Sequence, residues 1–209
     1  MTVPAATTDV TARPRVLLLA CGALAREVID LIRREEWSHM EITCLPAIWH
    51  NTPQKIPDGV RQKIRAAKPN YDKIYVLYAD CGTGGLLDRV LEEEGVERLP
   101  GPHCYATYAT QKRFNAMADD DPTCFYLTDF LTRHFERFII EGLGIDRHPE
   151  LCELYFGNYS TLVYLAQTDD PELDAKAQAA AARLGLAYRR EDTGYGELAT
   201  FMKQASGGA

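Results

Sequence analysis

Three uninterrupted apolar runs, RVLLLACG (15–22), KIYVLYADC (73–81) and STLVYLAQT (160–168), constrain this chain more than any other feature. A strand with one solvated face alternates apolar and polar residues, whereas a strand covered on both faces reads as a continuous apolar stretch. Each run is followed by a segment with helical periodicity. In ALAREVIDLIRREEW (23–37) the residues Leu24, Val28, Leu31 and Ile32 repeat at helical spacing. GLLDRVLEEE (85–94) follows the second run, and PELDAKAQAAAARLG (171–185), with proline at its start and glycine at its end, follows the third.

The weaker segments fit the same alternation. MEITCLPAI (40–48) predicts a strand, residues 53–68 a helix, and VERLPG (96–101) a short strand. In the second half, helices are predicted over 108–118 and 130–144, the latter stopped by Gly144, and a further short helix in HPELCELYFGN. A strand or extended segment is predicted over 123–130, a strand over 186–192 and a closing helix in GELATFMKQ. The expected fold is therefore α/β, a mostly parallel sheet with helices on both faces, Rossmann-like and doubly wound. Residues 1–14 read as a short disordered leader and 15–205 as a single α/β domain without internal repeats.

Composition narrows the setting. A net charge of −7 argues against binding to nucleic acid or to an acidic membrane surface. No run approaches the ~20 apolar residues of a membrane helix, and the amino terminus lacks the pattern of a secretory signal. A cytoplasmic location is expected. Thiols stay reduced there, so the six cysteines read as buried hydrophobes, metal ligands or reactive groups rather than as disulfides.

In a doubly wound sheet, ligands bind beyond the carboxyl ends of the strands. Cys21 and Cys81 each follow an apolar run and precede a helix, and His103 and Cys104 follow the short strand. All four are expected at that edge. Three thiolates with one nitrogen or oxygen suit tetrahedral Zn²⁺, and three thiolates suit an iron–sulfur cluster with one open iron. The metal candidates are Cys21, Cys81, Cys104 and His103, with Glu27 as an alternative fourth group or as an orienting partner. Cys81 and Glu27 are the catalytic candidates. Against this, a cysteine at a strand end is usually packing, and the chain has no CxxC pair. Cys44, Cys124 and Cys152 read as thiols without chemistry.

In CGTGGL (81–86), the amides of Gly82, Thr83 and Gly84 would cradle an anion, or the glycines would only permit a tight turn with positive φ. His50 in WHNTP ranks behind His103 as a ligand, since a histidine before a helix more often caps or hydrogen-bonds. Tyr155 and Asn158 are candidate pocket residues. No serine nucleophile elbow and no HExxH motif are present.

The motifs ACGALAREV, WHNTPQKI, DCGTGGL, GPHCY and DRHPEL…YFGNY…LVYLAQTDDP together resemble the DUF1638 family, a bacterial and archaeal family of unknown function, over about residues 15–196. The family pattern of Cys-Gly, Glu, Cys-Gly and His-Cys falls here on Cys21, Glu27, Cys81, His103 and Cys104. An acidic residue often found after the His-Cys pair is replaced here by Ala106. The resemblance implies a setting beside corrinoid- and folate-dependent methyl transfer, hence one-carbon metabolism, a small-molecule ligand and a methyl-transfer protein partner. Four uses of the site stay open. They are metal-dependent small-molecule chemistry, a metal-free cysteine nucleophile, an accessory protein that delivers a metal, corrinoid or methyl carrier, and a small-anion module built on the glycine loop.

Overall fold

The structure, a computed structural model, describes residues 13–207. The expected leader falls almost wholly on residues 1–12, outside the described residues. The fold is α/β, and every strand pairing is parallel.

β1 (Val16–Cys21) is buried along its whole length, as its unbroken apolar sequence requires. A 3-10 turn, Gly22–Leu24, leads into α1 (Ala25–Arg34). β2 (Met40–Leu45) stops three residues earlier than the predicted 40–48. Pro46 has no N–H for the ladder, and the chain turns into a 3-10 helix, Ala47–Asn51. α2 (Lys55–Ala67), β3 (Lys73–Leu77), α3 (Leu86–Glu94) and the two-residue β4 (Glu97–Arg98) complete the first sheet. Its order is β2-β1-β3-β4. The connections leave β1 in one direction and return past it in the other. The crevice between the carboxyl ends of β1 and β3 is thus the topological switch point, where such sheets bind ligands.

The expected α/β, Rossmann-like class holds, with the strands divided between two parallel sheets rather than gathered in one. β5 (Cys124–Thr128), β6 (Thr161–Ala166) and β7 (Ala187–Asp192) form a separate three-stranded sheet in the order β5-β6-β7. The first sheet ends at the short edge strand β4, and two helices follow it, α4 (Cys104–Ala109) and α5 (Gln111–Asp120). The predicted single helix over 108–118 breaks at Thr110, whose φ is +67°. The predicted helix over 130–144 divides into α6 (Asp129–Arg133) and a π-helical turn, Glu136–Ile140. α7 (Leu151–Phe156) and α8 (Pro171–Leu184) lie close to their predicted places.

The two sheets are joined by helices that serve both. α4 sends Tyr108 into the core of the first sheet, while Tyr105 packs with Tyr126 and Phe114 against the second. α9 (Gly196–Ala205) follows β7, yet Leu198, Met202 and Ala205 belong to the core around β1. Gly196 makes this return possible. A Cβ there would sit 2.0 Å from the carbonyl oxygen of Tyr108. Among the described residues no helix is long and apolar enough to cross a membrane.

Candidate functional site

Cys21 is the last residue of β1, and its sulfur accepts a hydrogen bond from the amide of Ala23 at 3.3 Å, which caps the 3-10 turn. The register pairs Ala20 with Leu77, so Tyr78 emerges from β3 level with Cys21. Cys81 comes three residues later. Its amide donates to the carbonyl of Pro102 at 2.8 Å, and the amide of Asp80 donates to that of Gly101 at 3.1 Å. These two bonds bring the segment before α4 against the end of β3, and Cys104 opens α4. Cys81 has φ of +50°, in the left-handed region that a residue with a Cβ enters at a cost of about 1–3 kcal/mol.

The three thiols therefore meet. Cys21, Cys81 and Cys104 wall one cavity of about 10 Å³, together with His50, Tyr78 and a rim of apolar residues that includes Leu24, Leu77 and Leu99. His50 belongs to the 3-10 helix after β2. Its Nδ1 lies 2.9 Å from the carbonyl oxygen of Ala47 and 3.8 Å from Cys21 Sγ, and its ring stacks at 6.2 Å on Tyr78.

Burial controls the charge here. It pushes the Cys21 thiol up to about 12, and neighbouring Cys81 adds to the shift. It pushes Cys81 up to about 11 and Cys104 upward as well, the latter with help from Cys81 and Cys21. Burial also lowers the pKa of His50. The Tyr78 hydroxyl is buried beside Cys21, and burial raises its pKa. At neutral pH the cavity thus holds a neutral imidazole and protonated thiols, which a bound cation would deprotonate. As the side chains stand, no group of three or more His, Cys, Asp or Glu among the described residues is arranged to hold a metal ion. The cavity has the size of about one water molecule.

Beside the cavity lies a larger cleft of about 170 Å³. Ala23, Ala47 and His50 from the first sheet's carboxyl edge form one side. Thr128 from the end of β5, Phe130 and Leu131 from α6, and Phe138 and Ile139 from the π-helical turn form the other. Cys104 and Tyr105 lie between them. Ala23, His50 and Cys104 wall both the cleft and the thiol cavity. The cleft is mostly apolar and sits below the ~300–1,000 Å³ usual for drug-sized ligands, so it suits a small molecule.

Several predicted residues lie elsewhere. His103 caps α4, its Nδ1 accepting from the amide of Ala106 at 3.4 Å, and its ring packs on Tyr105 and Phe114. It does not wall the thiol cavity; His50 does. The glycine loop has its own anion. Asp80 accepts from the amides of Gly84 and Gly85 at 3.2 and 2.9 Å and from the Thr83 hydroxyl at 2.8 Å. These hydrogen bonds lower its pKa against the opposing effect of burial. The positive φ values of Gly82, Gly84 and Gly85 serve this internal turn, and of the donors expected for an outside anion the amides of Thr83 and Gly84 are engaged by Asp80. Tyr155 and Asn158 are exposed at the opposite, amino-terminal end of β6, and neither lines the cleft.

Glu27 is buried on α1 but walls neither space. Its Oε2 has no partner, and burial raises its pKa, with Asp129 adding to the shift and Arg133 opposing it. Asp129 itself was not singled out from sequence. It starts α6, is fully buried, and accepts from Tyr164 Oη, the Gln167 amide and Thr168 Oγ1 at 2.7, 3.0 and 2.6 Å. This network fixes the start of α6 and so the positions of Phe130 and Leu131 in the cleft. The local signal was an Asp between a strand and a helix, which reads only as a cap.

A family model described as "Protein of unknown function (DUF1638)" matches residues 44–202. The match includes His50, Cys81 and Cys104, whereas Cys21 and Glu27 precede it. No curated protein matches the chain.

Proposed function

The chain belongs to the DUF1638 family, and we propose that it handles a small molecule in the cleft between its two sheets, served by one soft metal ion, Zn²⁺ or a similar cation, at Cys21, Cys81, Cys104 and His50. The observation that carries this reading is the shared cavity of about 10 Å³ at the switch point of the first sheet, walled by all four side chains and adjoining the cleft.

The raised thiols argue against a free cysteine nucleophile. A thiol pushed up to about 11 or 12 is almost wholly protonated at neutral pH. A nucleophilic cysteine instead needs a depressed pKa or an adjacent base. A cation held by Cys21, Cys81 and Cys104 would lower the thiol pKa values and would supply a metal-bound thiolate or a Lewis acid. The chain's own residues do the rest. Ala47 orients His50, the Pro102 carbonyl holds the Cys81 amide, and the apolar walls formed by Phe130, Leu131 and Phe138 limit water around the ligand. The resemblance described above supports a one-carbon context, with a methyl group as the group handled and a methyl-transfer protein as the partner.

The test is elemental analysis of anaerobically purified protein, followed by Co²⁺ titration of the metal-free chain. The expected result is one ion per chain with intense thiolate-to-cobalt absorption, lost in Cys21→Ser, Cys81→Ser and Cys104→Ser but kept in Cys44→Ser and Cys152→Ser. Failure to bind Co²⁺ saturably, or loss of binding only with Cys44 or Cys152, overturns the reading.

A further inference from the structure

Away from the thiols, a concavity lies between α6 with its π-helical continuation and α8. It has a volume of about 470 Å³ and is walled by Arg133, His134, Arg137, Lys176 and Arg183, with Glu136 as its one carboxylate. This gathering of cations is out of keeping with a chain of net charge −7. Two cations are already matched. Arg183 pairs with Glu136, and Lys176 with Glu172, each at 2.6 Å. Arg137 is unmatched, and Arg133 is matched only in part. Arg137 forms no ion pair among the described residues and lies over the Phe138 ring at 5.8 Å. Arg133 touches Asp129 through Nη2 at 3.5 Å, while its Nη1 is buried without a partner. Thr132 also walls the pocket; it is 3% exposed, and its Oγ1 has no partner.

Arg137, exposed and unpaired, and Arg133, paired through one nitrogen, leave guanidinium donors at the wall of this pocket. Both donate readily to a tetrahedral oxyanion, and arginine is the side chain best shaped for one. We propose that this pocket binds a small phosphorylated molecule, with a phosphate group held by Arg133 and Arg137 and the rest of the ligand lying along Ala179 and Ala180 of α8. The occupant is a small molecule rather than a nucleic acid. The pocket is a local concavity, and exposed Glu136 and Glu172 beside it, on an acidic chain, repel an extended polyanion. The site is separate from the cleft. The same helical segment presents Phe130 and Phe138 to the cleft and Arg133 and Arg137 to this pocket.

His134 provides the reporter. Burial lowers its pKa, and Arg26, Arg137 and Arg133 lower it further. The test is a pyrophosphate titration of the full chain at low salt, followed through the His134 imidazole resonances, with inorganic phosphate and citrate as parallel probes. Saturable binding of pyrophosphate and an upward shift of the His134 midpoint are expected. Arg137→Ala and Ala179→Glu, both at exposed positions, weaken binding at least about tenfold. The proposal is overturned if pyrophosphate binding does not saturate, if neither variant weakens it, or if citrate binds as tightly as pyrophosphate.

Discussion

The sulfur of Cys21 lies 3.8 Å from Nδ1 of His50, across 29 residues of sequence. The same nitrogen lies 2.9 Å from the carbonyl oxygen of Ala47. A carbonyl only accepts, so Nδ1 carries the proton and Nε2 keeps its lone pair. The backbone carbonyl thus sets the tautomer of this imidazole, and its free lone pair is on Nε2, not on the nitrogen nearest Cys21.

His50 and His103 are therefore separable by measurement. His50→Ala should lower Co²⁺ affinity by at least about ten- to a hundredfold, while His103→Ala, which removes a helix cap, should leave it unchanged. Spectroscopic Co²⁺ titration of the two variants checks this. The opposite ranking would return His103 to the site.

The raised thiols make the metal-free protein sensitive to alkali. Above pH ~9 the unfolded chain releases thiol protons that the folded chain retains, because Cys21 is pushed up to about 12 and Cys81 to about 11. Folding stability should be fully present below pH ~9 and fall as pH rises to about 11, by about 1.4 kcal/mol per pH unit for each thiol. Urea denaturation across that range measures the slope. At pH 8, iodoacetamide should modify exposed Cys44 before Cys21, Cys81 or Cys104. Rapid labelling of Cys81 at that pH would favour the free-nucleophile mechanism.

Asp129→Ala should destabilise the protein by about 3–5 kcal/mol, since it strands the donors of Tyr164, Gln167, Thr168 and Arg133 in the interior. The same change should loosen Phe130 and Leu131, so ligand binding in the cleft weakens with stability. Urea midpoints compared with those of Lys176→Ala, a surface control, give the first quantity. A loss below about 1 kcal/mol would show that the network does not hold α6.

Gly196→Ala places a methyl group 2.0 Å from the Tyr108 carbonyl oxygen and 2.5 Å from that of Thr107, at φ of +46°. The expected cost is at least about 2 kcal/mol. Amide exchange in α9 should rise with it, because the helix reaches the first sheet's core only through this approach. Unchanged exchange at Leu198 and Met202 would contradict that role.

Much of the fold was legible in the chain. β1, α8, β6 and β7 fall within a residue or two of their sequence-based bounds, because each is fixed by local patterning and local stops. The edge position of Cys21, Cys81 and Cys104 was also legible, since strand-to-helix transitions mark the carboxyl end of a parallel sheet. The breaks at Pro46 and Thr110 and the π-helical turn were not. They depend on how each segment meets its neighbours. His50 and His103 look alike in sequence, each preceding a helix; only the folded chain turns one toward the thiols and the other onto Phe114.

By itself the sequence determined which segments are strands and helices, and that three thiols stand at strand ends, because apolar periodicity and turn chemistry act over a few residues. The tertiary structure alone decided that the strands divide into two sheets, that the thiols close around one cavity beside His50, and that Asp80 fills the glycine loop. Those outcomes rest on strand order and on contacts between residues far apart in the chain, where pairing energy, and not local preference, selects the partner.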